Sequence, residues 1–444
     1  MTSMRRAART AIATSLRSAA FARAYTVTAL GAGLLTAAID RVNGPVTLAT
    51  IVTGLAVLGG AALFARRDEL SLVGFAPTTL VAFLAWAAAS AVWAIDGAHA
   101  RAVAAWLSLA AWALIGATIA HLRDTLQIAR AAGDVFRTLL ALSLALEVLF
   151  GILLDQPLGR LGIAGDLAYG GPVQGLFVTR NLLGFVAVLA LVTFAIEWRA
   201  RAVARPVAVA SLVLAGLMTV LSGSPVAVVL AATLVLAELA LALARRAPRG
   251  RRARVHLALA GGALVFVTLA FWFRHAIIRF FAARSGFAAR ADLWNALIDW
   301  VRHKPVTGWG LFGSWRGEPF PTNILAVELG GAHGSALSAY FDVLLQLGWV
   351  GLLLFLLVGL FALGRAWLAA ADRRSVVYAW LPLVLIAILV ESVFESYALH
   401  DIGWLLLVVC AVRAGRERSW RARLDPAAPV PPPLRPQGNA GRAG

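Results

Sequence analysis

The chain is short of the residue types on which soluble enzymes most often rely. Its 444 residues include one cysteine, Cys410, and one lysine, Lys304, and charged side chains make up only 14%. A single cysteine excludes disulfides within the chain and argues against a thiolate metal site. No Gly-Lys-Ser phosphate loop, no His-Glu-x-x-His and no Gly-x-Ser-x-Gly elbow occurs. Cytosolic nucleotide chemistry and zinc hydrolysis therefore find no support. No cleavable signal pattern precedes the first apolar run, and Met1 to Arg23 reads as a basic tail rich in small residues.

What the chain has in abundance is apolar sequence. Hydrophobic residues make up 61% and the mean hydropathy is +0.81, values of a polytopic membrane protein. A spanning helix needs ~20 mostly apolar residues. Twelve runs qualify, at 23–40, 45–65, 76–96, 102–120, 135–154, 181–197, 205–221, 224–244, 255–273, 337–364, 376–391 and 399–413. The expected fold is all-α, with about twelve transmembrane helices and a large extracytoplasmic loop. Residues 1–22 form a cytoplasmic basic tail, 23–413 the transmembrane domain with 274–336 as its large loop, and 414–444 a disordered cytoplasmic tail. That last stretch is rich in proline and glycine, a composition that cannot bury a core.

The net charge of +18 invites a nucleic-acid reading, but the placement of the cations decides against it. With the N-terminus inside, the cytoplasmic segments hold 29 arginines, and the other side holds ten together with Lys304. This is the positive-inside asymmetry of a multi-pass protein with both termini in the cytoplasm. The basic excess then reports topology and contact with anionic head groups.

Two outward segments are long enough to form a working surface. One is the glycine-rich stretch 155–180; the other is 274–336. Within the second, Arg290, Trp294, Leu297 and Val301 recur at helical spacing and Pro305 stops the run, which predicts an amphipathic helix at the interface. Trp300, Trp309 and Trp315 fit interfacial anchoring. The outward chemistry is that of arginine plus one loop histidine, His333. Guanidinium binds phosphate oxygens as a bidentate fork without a metal, and imidazole exchanges a proton near neutrality. An arginine at a span end, such as Arg180, also reaches head groups by snorkelling alone. Glu391 and Glu395, at the outer end of the eleventh run, are costly there unless paired or functional.

The order of these motifs resembles the O-antigen ligase and O-antigen polymerase superfamily. It is carried by Arg290 and Trp294, then Pro305, Gly308 and Gly310, then AHGSALSAYFDVLLQLGWVGLLLFLL with His333, Gly348 and Gly351, and upstream Thr179-Arg180-Asn181. Two positions depart from the family pattern: Ser224-Pro225 stands where members often have Ser-Arg, and Gly334 follows the histidine where members often have Asn. The resemblance implies a multi-pass protein of the bacterial plasma membrane whose active site is extracytoplasmic. It would move a glycan from an undecaprenyl-pyrophosphate carrier to a sugar hydroxyl of a glycan or lipid-core acceptor, without nucleotide sugar, metal or other cofactor. By the same analogy Arg180 and Arg290, with Arg284 beside them, bind the pyrophosphate, and His333 acts on the acceptor hydroxyl or on the leaving group. Such a reaction would serve surface polysaccharide or lipopolysaccharide biosynthesis, as a ligase or as a polymerase. A transporter or flippase of lipid-linked oligosaccharide is the alternative. Carriers usually place their coupling groups at mid-membrane, whereas here the polar residues gather in an outward loop.

Overall fold

The computed structural model describes residues 12–70, 74–95, 98–273, 287–317, 319–331 and 333–417. Arg284, the first residues of the basic tail and the chain beyond Glu417 lie outside that set.

Every apolar run emerges as helix. In chain order these are α1 (Ala19–Leu34), α2 (Thr36–Asn43), α3 (Pro45–Ala65), α4 (Thr78–Ala89), α5 (His99–Leu122), α6 (Thr125–Val148), α7 (Arg180–Arg199), α8 (Arg205–Leu221), α9 (Pro225–Arg246) and α10 (Arg252–Trp272). Then come α11 (Phe287–His303) and α12 (Thr322–Glu328) in the large loop, followed by α13 (Ala339–Asp372), α14 (Trp380–Phe394) and α15 (Asp401–Glu417). Among the described residues there is no strand, only one isolated bridge between Leu158 and Ile163. The all-α class is borne out.

The span count is more restrained than the twelve expected. Seven helices among the described residues are long and apolar enough to cross a membrane, or eight if α1 and α2, bent by 70° at Leu35, form one span. The run at 76–96 yields a short helix because α4 passes into a 3-10 turn at Ser90–Val92. At the two ends of the described chain, α1 begins at Ala19 with Ala22 buried, and α15 runs on to Glu417.

Helix boundaries follow local chemistry. Pro45 and Pro225 sit in the first turns of α3 and α9, where a missing N–H costs nothing. Asp124 and Gln127 form a reciprocal capping box at the start of α6. Thr179 and Ser224 cap α7 and α9, accepting from the backbone N–H of Leu182 and Ala227.

The packing is apolar both within the bundle and on much of its outer surface. α15 is apolar on all sides, with Ile402 to Val412 buried throughout, and α5, α13 and α14 pack around it. By contrast, α10 and the outer faces of α3 and α9 expose Phe266, Leu264, Val57, Val235 and Leu239, apolar surface suited to lipid.

Candidate active site

The large loop is joined to the bundle at a break in a helix. α13 has a non-helical residue in its first half, Gly348 at φ 67°, ψ −170°. Such a break frees backbone groups that lipid cannot satisfy. The loop supplies their partners: Trp309 N donates to Leu345 O at 3.0 Å, Gly310 N to Gln346 O at 2.9 Å, and Trp349 N to Pro305 O at 2.8 Å. The Gln346 carboxamide accepts from Phe312 N and Gly313 N at 3.0 and 2.9 Å. Backbone meets backbone so closely that a Cβ on Gly348 would lie 2.2 Å from Val306 O, and one on Gly308 2.5 Å from Gln346 C. That contact gives the Pro305, Gly308 and Gly348 pattern its physical sense.

α11 forms where the sequence periodicity places it, but its apolar face is covered by protein. Leu293, Leu297 and Val301 are buried with Phe312, Trp315, Leu325 and Ala336, and with Leu344 and Leu345 of α13, in a small core that the loop shares with that helix. Trp315 is 2% exposed and donates Nε1–H to Asp342 at 2.7 Å, and Trp309 donates to Trp300 O. Trp315 thereby ties the loop to α13, and Trp309 ties the segment after α11 back to that helix. Trp294 stacks on Phe341 and donates to Ala336 O at 2.9 Å, tying α11 to the start of α13.

One turn before Trp294, Arg290 enters a buried polar chain. Its guanidinium donates to Phe394 O and, at 2.9 Å, to Glu395 Oε1. The same carboxylate oxygen accepts from Asn181 Nδ2 at 2.6 Å, and Asn181 Oδ1 accepts from the Ser224 hydroxyl at 2.8 Å. Ser224 thereby connects to Arg290 through two intermediates. Beside this chain the Thr179 hydroxyl shares a 3.0 Å hydrogen bond with the Tyr397 phenol. Burial and the neighbouring Glu395 push the Tyr397 pKa well up, so it remains a phenol. Glu391 is 2% exposed and neither of its carboxylate oxygens has a hydrogen-bond partner among the described residues.

The stretch 155–180 is folded so as to deliver Arg180. Glu147 accepts from Gln174 N and Gly175 N at 3.2 and 2.8 Å, and Ser143 from Leu176 N at 3.1 Å, which fixes the chain just before α7. Val178 and Leu337 take left-handed conformations, at φ 69° and 51°, shortly before α7 and α13. Strain of this kind at non-glycine residues clusters at functional sites.

Of the four residues expected from sequence, Arg290 lies within the network and Arg180 at the exposed start of the helix that carries Asn181. Arg180 makes no hydrogen bond or ion pair among the described residues, and Arg284 is outside them. His333 is half-buried, three residues before the Ala336 tie, with Nδ1 3.0 Å from Gly331 O. A carbonyl can only accept, so Nδ1 is the donor of this pair, and in the neutral imidazole the lone pair then belongs to Nε2. Sequence reasoning flagged Glu395 as an acid at a span end without finding its partner. It missed Asn181, Ser224 and Tyr397 as members of the network, and their polar side chains at span ends were the available signal. Among the described residues no group of three or more His, Cys, Asp or Glu is placed to hold a metal.

Comparison with known proteins gives one finding on the family. Residues 210–356 match the family model described as O-Antigen ligase. The matched stretch runs from α8 into α13 and takes in Ser224, Arg290, His333 and Gly348, while Arg180 and Glu395 fall outside it. No curated protein matches the chain.

Proposed function

From the O-antigen ligase domain that this chain carries, which places it in the O-antigen ligase and polymerase superfamily, we propose the following reaction. A glycan moves from an undecaprenyl-pyrophosphate carrier to a sugar hydroxyl on the extracytoplasmic face of the bacterial plasma membrane. The bond from the anomeric carbon to the pyrophosphate oxygen breaks, a bond to the acceptor oxygen forms, and the hydroxyl proton passes to His333. The observation that carries the reading is the polar chain from Arg290 through Glu395 and Asn181 to Ser224, at the end of the bundle where the large loop docks.

Arg290 serves as a pyrophosphate ligand held in advance by the protein. Two of its five N–H groups are engaged by Glu395 and Phe394, and in this reading phosphate oxygens take up the others. Preorganised cations at the point where leaving-group charge develops stabilise the transition state without metal. Arg180, exposed at the start of α7, adds a second cation, and Arg284 a third. His333, with its Nε2 lone pair free, is the base for the acceptor hydroxyl.

Donor binding measured beside glycan transfer tests these roles separately. His333→Ala is expected to lower turnover by ~10²-fold or more with donor affinity nearly intact; transfer at the wild-type rate removes the histidine from the mechanism. Arg290→Ala and Arg180→Ala are expected to weaken donor binding by ~1.5–3 kcal/mol each, and unchanged binding in both returns them to head-group anchors. Transfer is expected to survive chelation, and strict dependence on added magnesium or manganese counts against the arginine cradle.

The orientation has its own test. Ser314 is exposed in the large loop and the one native thiol, Cys410, is fully buried. An impermeant thiol reagent is expected to label Ser314→Cys in intact spheroplasts. Labelling only after permeabilisation reverses the sidedness.

A further inference from the structure

The end of the bundle away from Arg290 contains a basic cavity that glycan transfer does not use. α6 starts beside it at Thr125 and its helical path continues to Leu153, from which the chain enters the loop that leads to Arg180, so the two sites lie at opposite ends. The cavity measures about 410 Å³ and is lined by Arg17, Arg23, Arg66, Arg123 and Gln127, with apolar Leu122 beside them. It sits where α1 begins, α3 and α5 end and α6 begins.

The four arginines are not equivalent. Arg17 donates Nε–H to Ala65 O at 2.7 Å and pairs with Asp68 at 3.5 Å, and Arg23 pairs with Asp134 at 3.1 Å. Those two are engaged in fixing helix ends to one another. Arg66 donates only to the backbone carbonyl of Arg17 at 2.8 Å, and Arg123 only to that of Gln127 at 3.4 Å. Neither has a carboxylate within ion-pair distance among the described residues. The Nε–H of each is buried with no hydrogen-bond partner among them. A buried donor on a cation, left without an acceptor, is among the costlier defects a fold can carry. Two arginines that line one cavity of ligand size, each without a carboxylate partner and each with a donor left unmet, point to an anion rich in acceptor oxygens.

We infer that this cavity is a binding site for a phosphate-bearing anion, with Arg66 and Arg123 as its principal ligands. Guanidinium forks match tetrahedral phosphate oxygens, and basic pockets between membrane helices suit phosphorylated head groups. An anionic phospholipid head group and a soluble phosphate offer the same chemistry, and one experiment separates them.

The full-length protein, purified in neutral detergent, is followed by thermal unfolding against phosphatidylglycerol, phosphatidylcholine and inorganic pyrophosphate. The wild type is expected to show a saturable rise in Tm with phosphatidylglycerol and none with phosphatidylcholine; a rise with pyrophosphate as well assigns the site to phosphate free of its lipid. In the double variant Arg66→Gln, Arg123→Gln half-saturation is expected to move up by about tenfold or more. Arg205→Gln, an exposed arginine at the same end of the bundle, retains the wild-type response. Should the double glutamine variant not fold, Arg66→Lys with Arg123→Lys keeps the charge and loses the fork, and is expected to weaken the same response. Equal half-saturation in the wild type and the folded variants, or no response of the wild type to either anion, overturns the assignment. The readout is binding alone, so its failure leaves the transfer reaction untouched.

Discussion

Two arginine–glutamate pairs, one at each end of the bundle, look interchangeable as sequence and differ as structure. Arg290–Glu395, at 2.9 Å, has side chains 16% and 9% exposed, and its carboxylate also holds Asn181. Arg199–Glu238 has side chains 49% and 30% exposed. The first pair is enclosed by α7, α11 and the end of α14, so its partners are charged groups that must satisfy one another. The second pair shares its partners with solvent, where screening and side-chain entropy absorb most of the attraction. Enclosure alone does not single out the site, since Arg137–Glu197 and Arg413–Glu417 are as withdrawn from water at the other end of the bundle; what sets Arg290–Glu395 apart is the polar chain that continues through Asn181 to Ser224.

The comparison breaks most severely if the large loop is detached from α13. Gly348→Ala places a Cβ 2.2 Å from Val306 O at a left-handed backbone position. The combined strain and overlap are expected to cost ~3 kcal/mol or more, with the loop undocked and transfer abolished. Proteolysis of the loop beside a transfer assay reads this directly; a wild-type cleavage pattern means that the seam does not position the site.

Next in size is removal of the enclosed carboxylate. Glu395→Ala leaves the Arg290 charge without its partner and frees Asn181, at an expected loss of ~3–5 kcal/mol of stability, visible as a lowered Tm in detergent. A loss below ~1 kcal/mol would place the pair in the same class as the exposed one.

A finer probe keeps the charge of Arg290 and changes its shape. Arg290→Lys preserves a cation but loses the fork, and donor affinity is expected to fall between those of the wild type and Arg290→Ala. Full recovery by lysine would make the residue a point charge rather than a bidentate ligand.

The smallest effect belongs to the other end of the bundle. Arg199→Ala is expected to change stability by no more than ~1 kcal/mol and to leave transfer and donor binding as in the wild type. A transfer defect there, with normal Tm, would show that the two ends are coupled and that the contrast between them is too simple.

The amino-acid sequence by itself determined where helices form, because an apolar run in lipid must satisfy its backbone internally and helix is the local way to do so. It located the amphipathic helix of the large loop through the spacing of Arg290, Trp294, Leu297 and Val301, and it marked Gly308 and Gly348 as a pattern. It pointed to the acids at the end of α14 as costly there. What covers each face was a tertiary outcome. The stripe of α11 meets a core shared by the loop and α13, and Trp315 turns inward to Asp342, since periodicity specifies a face without specifying its neighbour. The bend at Leu35 and the 3-10 turn after α4 depend on packing, which a hydropathy window does not record. The partnership of Arg290 with Glu395, 105 residues away, and the bridge through Asn181 to Ser224 exist only once α7, α9, α11 and α14 converge. Hydrogen bonds reach about 3 Å and carry no record along the chain, so only the folded bundle could select which polar side chains meet.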